Sequence, residues 1–209
     1  MNGSKEYNFL WWSYGSNATR STGRFFQTIF VDFCNYMDNT YRSTITHAMG
    51  IPTDFNSDSL VACNVRNPYT LAVSHFNDLK AEDNDLVFSD WLMSSTELDI
   101  YQDPVRWETA GKVPDIFIHM ETLEEDLINF SCVKQWLSEY DDRVDILENT
   151  LNECIRKNSY LGENENDKYI NGFQNIEGLY SQELADKVVE LATEVYFKQI
   201  GYSIDSWKS

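Results

Sequence analysis

Two stretches of this 209-residue chain carry side chains suited to holding a small anion. The first, Gly15 to Arg24, reads GSNATRSTGR, a run of small residues and hydroxyls that includes two guanidinium groups, Arg20 and Arg24. An aromatic run (Phe9, Leu10, Trp11, Trp12, Tyr14) precedes it, and Phe25, Phe26, Ile29, Phe30 and Phe33 follow at helical steps of three and four. A strand that feeds a loop and then a helix leaves backbone N–H groups at the helix start, and arginine forks beside them match phosphate or sulfate. In the second stretch, Arg66 closes SLVACNVR and Ser74 follows eight residues later in NPYTLAVSHF, close enough for both to reach one phosphate. The first loop lacks GxxxxGK[ST], so the lysine and hydroxyl of a nucleoside-triphosphate loop are missing; a capped helix start after a buried strand is its plain structural reading.

The elements that must position these residues follow from hydrophobic pattern and turn chemistry. The first helix is expected from about Arg24 to between Asp38 and Thr40, and Tyr41 to Ser57, with His47, Gly50 and Pro52, reads as a linker. Ser59 to Arg66 predicts a second buried strand, and Pro68 suits the first residue of the helix after it. Asp78 to Lys112 is acidic and aromatic and gives only short helices and loops. Ile116 to Ile118, extending to His119, predicts a third strand, with a helix begun by Glu121 and Thr122 and two helical pieces between Ser131 and Lys157. Asn158 to Gly178 reads as a loop, and Tyr180 to Tyr202 as one amphipathic helix capped by Ser181 and ended by Gly201. Strand alternating with helix argues for an α/β three-layer sandwich with a mostly parallel central sheet, in a single domain over residues 1–209.

Charge narrows the partners. Residues 1–66 balance five basic side chains against five acidic ones, so the remainder carries the whole net charge of −18. Such a chain is not expected to bind nucleic acid or an anionic membrane through a broad basic face, and a small anion in an arginine-lined pocket fits better than a heavily sulfated polymer. No basic-then-apolar leader and no run of eighteen apolar residues is present, which predicts a soluble, cytoplasmic protein without a membrane span. Cys34, Cys63, Cys132 and Cys154 are scattered, with no CxxC or His/Cys cluster, so reduced core thiols are expected and no metal site.

The spacing of Arg66 and Ser74, together with Pro68, Tyr69 and Val73, resembles the 3′-phosphate motif of the sulfotransferase superfamily, closest to its carbohydrate-type families. Glu121, Leu123 and Asp126 after the third strand, and Tyr180, Glu183, Leu184, Gly201 and Tyr202 at the C-terminus, are similar to two further stretches of that superfamily. The resemblance implies a P-loop-like strand-loop-helix and 3′-phosphoadenosine-5′-phosphosulfate as sulfuryl donor. It also implies 3′,5′-adenosine bisphosphate as product, a hydroxyl acceptor on a saccharide, and no metal requirement. By the same resemblance Arg20 contacts the bridging oxygen and 5′-phosphate, the amides of Ser21, Thr22, Gly23 and Arg24 cradle the phosphosulfate, and Arg66 and Ser74 hold the 3′-phosphate. His47, nineteen residues ahead of Arg66, takes the place of the catalytic base; His75 and His119 read as packed residues. Two departures stand out: Gly23 is shifted by one position and followed by Arg24 instead of a hydroxyl, and Leu71 replaces a second arginine. A catalytically silent nucleotide binder of the same fold and, less favoured, a nucleotide kinase are the alternatives.

Overall fold

The structure is a computed structural model and describes residues 3–4, 7, 9–12, 19–30, 60–80, 85–96, 113–156, 176, 178–192 and 194–208. His47 and the Tyr41 to Ser57 linker lie outside the described residues, as does nearly all of the Asn158 to Gly178 stretch. In chain order the elements are β1 (Gly3–Ser4), β2 (Phe9–Trp12), α1 (Thr19–Ile29), β3 (Leu60–Val65), α2 (Pro68–Lys80), α3 (Phe88–Ser94), β4 (Ile116–His119), α4 (Leu123–Asn129), α5 (Ser131–Glu139), α6 (Arg143–Leu151), α7 (Gln182–Leu191) and α8 (Glu194–Lys198). A π-helical turn, Asn152–Arg156, follows α6, and a 3-10 turn, Ser206–Lys208, lies near the C-terminus. The described residues group into two units, Met1–Val65 with Val105–Tyr160 and Arg66–Pro104 with Leu161–Ser209.

The first unit holds the sheet, in the order β1-β2-β3-β4. β2, β3 and β4 run parallel, and β1 adds an antiparallel edge. Trp11 lies beside Ala62, and Ala62 beside Ile116. Side chains alternate along a strand, so this register puts Phe9, Trp11, Ala62, Asn64, Ile116 and Ile118 on one face. That face is the core: Phe9, Trp11, Ala62 and Ile118 pack with Phe25, Phe26 and Ile29 of α1, Leu123 and Leu127 of α4, Val133 and Trp136 of α5, and Leu147 and Leu151 of α6. Val61, Cys63 and Val65, which alternate to the other face, are buried too. The chain is therefore a mixed α/β protein with a mostly parallel sheet, as its pattern indicates.

α1 starts at Thr19, five residues before the expected Arg24. The reason is Thr22. It sits three and four positions ahead of Phe25 and Phe26, on the same stripe, and is fully buried, so the helical face extends one turn further back than the phenylalanines alone suggest.

In the second unit α2 packs with α3 and α7. Phe76 of α2 meets Phe88 and Trp91 of α3, and Phe88 also meets Tyr180, just ahead of α7. Pro68 opens α2, Ser181 caps α7 by accepting from the Leu184 amide, and Gly201 has a φ of +95°, all as the sequence indicates. The C-terminal helix is not continuous: it breaks at Ala192, whose φ of −82° and ψ of 94° are extended. Ala185, Val188, Ala192, Tyr196 and Ile200 are all buried, so the apolar stripe reads straight through the break and conceals it. Among the described residues no helix is long and apolar enough to cross a membrane, and no cluster of metal-ligating side chains occurs.

Candidate functional site

The first turn of α1 lies at the carboxyl edge of the parallel strands. Three contacts along the helix establish its direction: Phe30 meets Phe9 at the start of β2 (5.3 Å), Phe26 meets Trp11 further along (5.6 Å), and Thr22 reaches Asn64 near the end of β3. In open parallel sheets this edge is where ligands bind. A helix leaves the amides of its first turn without intrahelical acceptors, here those of Thr19, Arg20 and Ser21, while the amides of Gly23 and Arg24 bond one turn back. The amides of Ser21 to Arg24, expected from the sequence to cradle a phosphosulfate, all lie within α1, and from Thr22 onward they belong to the intrahelical ladder. Thr22 is fully buried, Gly23 is buried, Ser21 is half-buried and Arg24 is exposed.

The Thr22 hydroxyl has a structural partner. It accepts a hydrogen bond from Asn64 Nδ2 (2.8 Å), while Asn64 Oδ1 accepts from the Trp11 indole N–H (2.7 Å). This buried relay ties β2, β3 and α1 together, and it explains why a polar residue interrupts the apolar strand LVACNV.

The second unit positions Arg66 and Ser74. Arg66 follows β3, is 1% exposed, and donates from Nε to Thr70 Oγ1 (3.1 Å). The Thr70 hydroxyl donates to the Asn67 carbonyl, and Asn67 Oδ1 accepts from the Tyr69 amide, capping α2 directly ahead of Pro68. Ser74 is half-buried and lies four residues beyond Thr70 on α2, roughly 6 Å along the axis. Arg66, Thr70 and Ser74 therefore succeed one another at steps of four. The corner is clamped from the C-terminal side: Asn67 Nδ2 donates to Ser206 Oγ (2.9 Å), Tyr69 OH to the Ile204 carbonyl (2.5 Å), and Tyr180 OH to the Tyr69 carbonyl (2.7 Å). Burial pushes the Tyr69 phenol up to about 12 and raises that of Tyr180 as well, where the Arg66 charge pulls the other way. Two stretches singled out separately in the sequence, around Tyr69 and Tyr180, thus pack ring to ring at 5.3 Å.

A third feature sits at the end of β4. One carboxylate oxygen of Asp126 accepts both from the His119 amide (2.6 Å) and from His119 Nδ1 (2.9 Å). Burial alone would raise the Asp126 carboxyl, but the bonds from His119 and from Thr122 outweigh it and hold it below the ordinary aspartate value. Stability linked to a lowered carboxylate is present in full above the unfolded value, about 3.9, and is lost as pH falls through the folded one. The melting-temperature gap between wild type and Asp126→Asn is therefore expected to be widest near neutrality and to close as the pH is taken below about 3.9. A gap independent of pH would mean that Asp126 is not ionised.

Sequence reasoning missed Asn64, Asn67, Thr70 and the partnership of Asp126 with His119. Asn67 had a local signal, an asparagine directly before the proline of a helix start; the other three are recognisable only once their partners are placed. Arg20 and Ser21 belong to the first unit, Arg66 and Ser74 to the second. His75 stands edge-on to Trp91 at 5.7 Å. Of the four cysteines, Cys63, Cys132 and Cys154 are buried thiols outside any disulfide, and burial pushes the Cys132 thiol up to about 11. No protein-family model, curated protein or solved structure matches the chain.

Proposed function

We propose that the chain binds 3′-phosphoadenosine-5′-phosphosulfate and transfers its sulfuryl group to a hydroxyl, with a saccharide as the acceptor. The observation that carries this reading is the buried Arg66 guanidinium at the end of a parallel strand, bonded to Thr70 one helical turn before the Ser74 hydroxyl. A guanidinium stays charged when buried, so its site favours an anion, and the hydroxyls alongside supply donors suited to a phosphate. In the first unit, the amides of Thr19, Arg20 and Ser21 at the start of α1 suit a phosphate or sulfate group. This reading carries with it the three-layer, P-loop-like arrangement that the sequence resemblance implies.

Sulfuryl transfer asks the protein to hold donor and acceptor in line and to stabilise charge growing on the leaving oxygen. Arg20 would supply that charge, Arg66 and Ser74 would anchor the 3′-phosphate, and the resemblance points to His47 for the base. A silent binder of the same nucleotide is the second reading, favoured by Thr22 and Gly23 being buried instead of lining an open loop.

Calorimetric titration with 3′,5′-adenosine bisphosphate, without magnesium, tests the binding step. Saturable one-site binding is expected, weakened roughly ten- to a hundredfold in Arg66→Gln, the value of a charged hydrogen bond, and by a smaller factor in Ser74→Ala. Ser74 is half-buried, so its variant keeps the fold if Arg66→Gln does not. No binding by the wild type, or unchanged binding in Ser74→Ala and in a folded Arg66→Gln, overturns the reading. Sulfate transfer from labelled donor then separates the enzyme from the silent binder.

A further inference from the structure

The geometry points to His119, oriented by Asp126, as the base that takes the proton from the acceptor hydroxyl, in place of His47; this rests on the sulfuryl-transfer reading above. His119 is the last residue of β4 and pairs with Val65, the last of β3, and the Met120 amide continues the ladder onto the Val65 carbonyl at 2.9 Å. It therefore stands at the carboxyl edge of the parallel sheet. The chain then turns through Glu121 and Thr122 into α4, whose fourth residue, Asp126, returns its carboxylate to both the backbone and the ring of His119.

An ionised carboxylate can only accept, so the Nδ1 it contacts carries the proton and the basic lone pair of the neutral imidazole lies on Nε2. A second bond from the same oxygen to the His119 amide fixes the carboxylate relative to the strand, which limits rotation of the ring. The His119 side chain is 29% exposed, so the ring is within reach of a ligand instead of being sealed in the core. The same edge of the same unit carries the first turn of α1, where the sulfuryl group would be held. β4 is two strands from β2, roughly 10 Å, a gap that a sulfuryl group and an acceptor hydroxyl can span.

In the step itself the acceptor O–H proton passes to His119 Nε2 as the acceptor oxygen bonds to sulfur. The bond from sulfur to the 5′-phosphate oxygen breaks, its electron pair leaves with 3′,5′-adenosine bisphosphate, and the imidazolium afterwards returns its proton to water. Asp126 is a positioning residue: it selects the tautomer and stabilises the imidazolium while the ring is charged.

Two readouts test this. Nitrogen-15 spectra of the imidazoles, with His119 assigned by its loss in His119→Gln, are expected to show the Nδ1–H tautomer in wild type and a shift towards Nε2–H in Asp126→Asn. Sulfate transfer is expected to fall roughly 10²- to 10⁴-fold in His119→Gln, the usual value of a positioned base, with bisphosphate affinity unchanged. An Nε2–H tautomer in wild type, or full transfer by His119→Gln, overturns the proposal and leaves the sulfotransferase reading standing. A wild type that binds the bisphosphate, shows the Nδ1–H tautomer, and transfers to no hydroxyl removes the reaction itself, and with it the assigned role of His119.

Discussion

Phe26→Ala is expected to cost about 3–5 kcal/mol of stability, the range for truncating a buried phenylalanine. For a chain of this length that is a fall of roughly 6–20 °C in melting temperature. The ring is fully buried and lies within 6 Å, centroid to centroid, of Phe9, Trp11, Phe25, Phe30 and Phe130, so its loss opens a cavity shared by β2, α1 and the segment after α4. These neighbours are rigid rings on different elements, and they cannot collapse into the gap without moving a strand or a helix. Phe26→Leu keeps most of the volume and is expected to cost less than half as much. Val144→Ala, at a side chain 55% exposed, is the control and should stay within about 0.5 kcal/mol of wild type. Thermal or urea unfolding measures all three; a Phe26→Ala shift no larger than the control's would mean that α1 does not pack on this sheet.

Asn64→Leu is expected to be nearly as costly, for an electrostatic reason. The leucine fits an apolar strand, but the Trp11 indole N–H loses its bond to Oδ1 and the Thr22 hydroxyl its bond from Nδ2, both in the dry core. Each buried polar group deprived of such a bond costs about 1–3 kcal/mol, so the variant should lose roughly 2–6 kcal/mol. Thr22→Val alone removes one bond. Added to Asn64→Leu it removes the stranded hydroxyl, so the double variant should be more stable than the sum of the two single losses by at least about 1 kcal/mol. Urea midpoints at constant slope provide the cycle. Strict additivity would show that the relay between Trp11, Asn64 and Thr22 does not persist in solution.

Thr22 also shows how one residue can be read in two ways. In the string RSTGR a hydroxyl beside glycine and arginine suggests a ligand loop; in the fold that hydroxyl serves Asn64, forty-two residues away, and only the turn before it keeps amides directed at the sheet edge. The placement of Arg66 directly after β3 and of Ser74 on α2 was readable because both belong to one strand-to-helix connection, which the local pattern encodes. Asp126 was noticed for its sequence context, but its hold on His119 depends on the turn through Glu121 and Thr122, which no periodicity encodes.

Chain-local chemistry was sufficient for β2, β3 and β4 and their alternation with helices, the helix start at Pro68, the Ser181 cap and the stop at Gly201, because each depends on backbone preferences and on hydrogen bonds made within a few residues; the short antiparallel edge strand β1 was not among them. Pairing across the sheet and packing against it were needed for the true start of α1, the break at Ala192, the Trp11–Asn64–Thr22 relay and the carboxylate behind His119. In each of these the deciding partner is remote along the chain, or the apolar stripe is the same for two backbone paths, so a one-dimensional pattern holds no information that separates them.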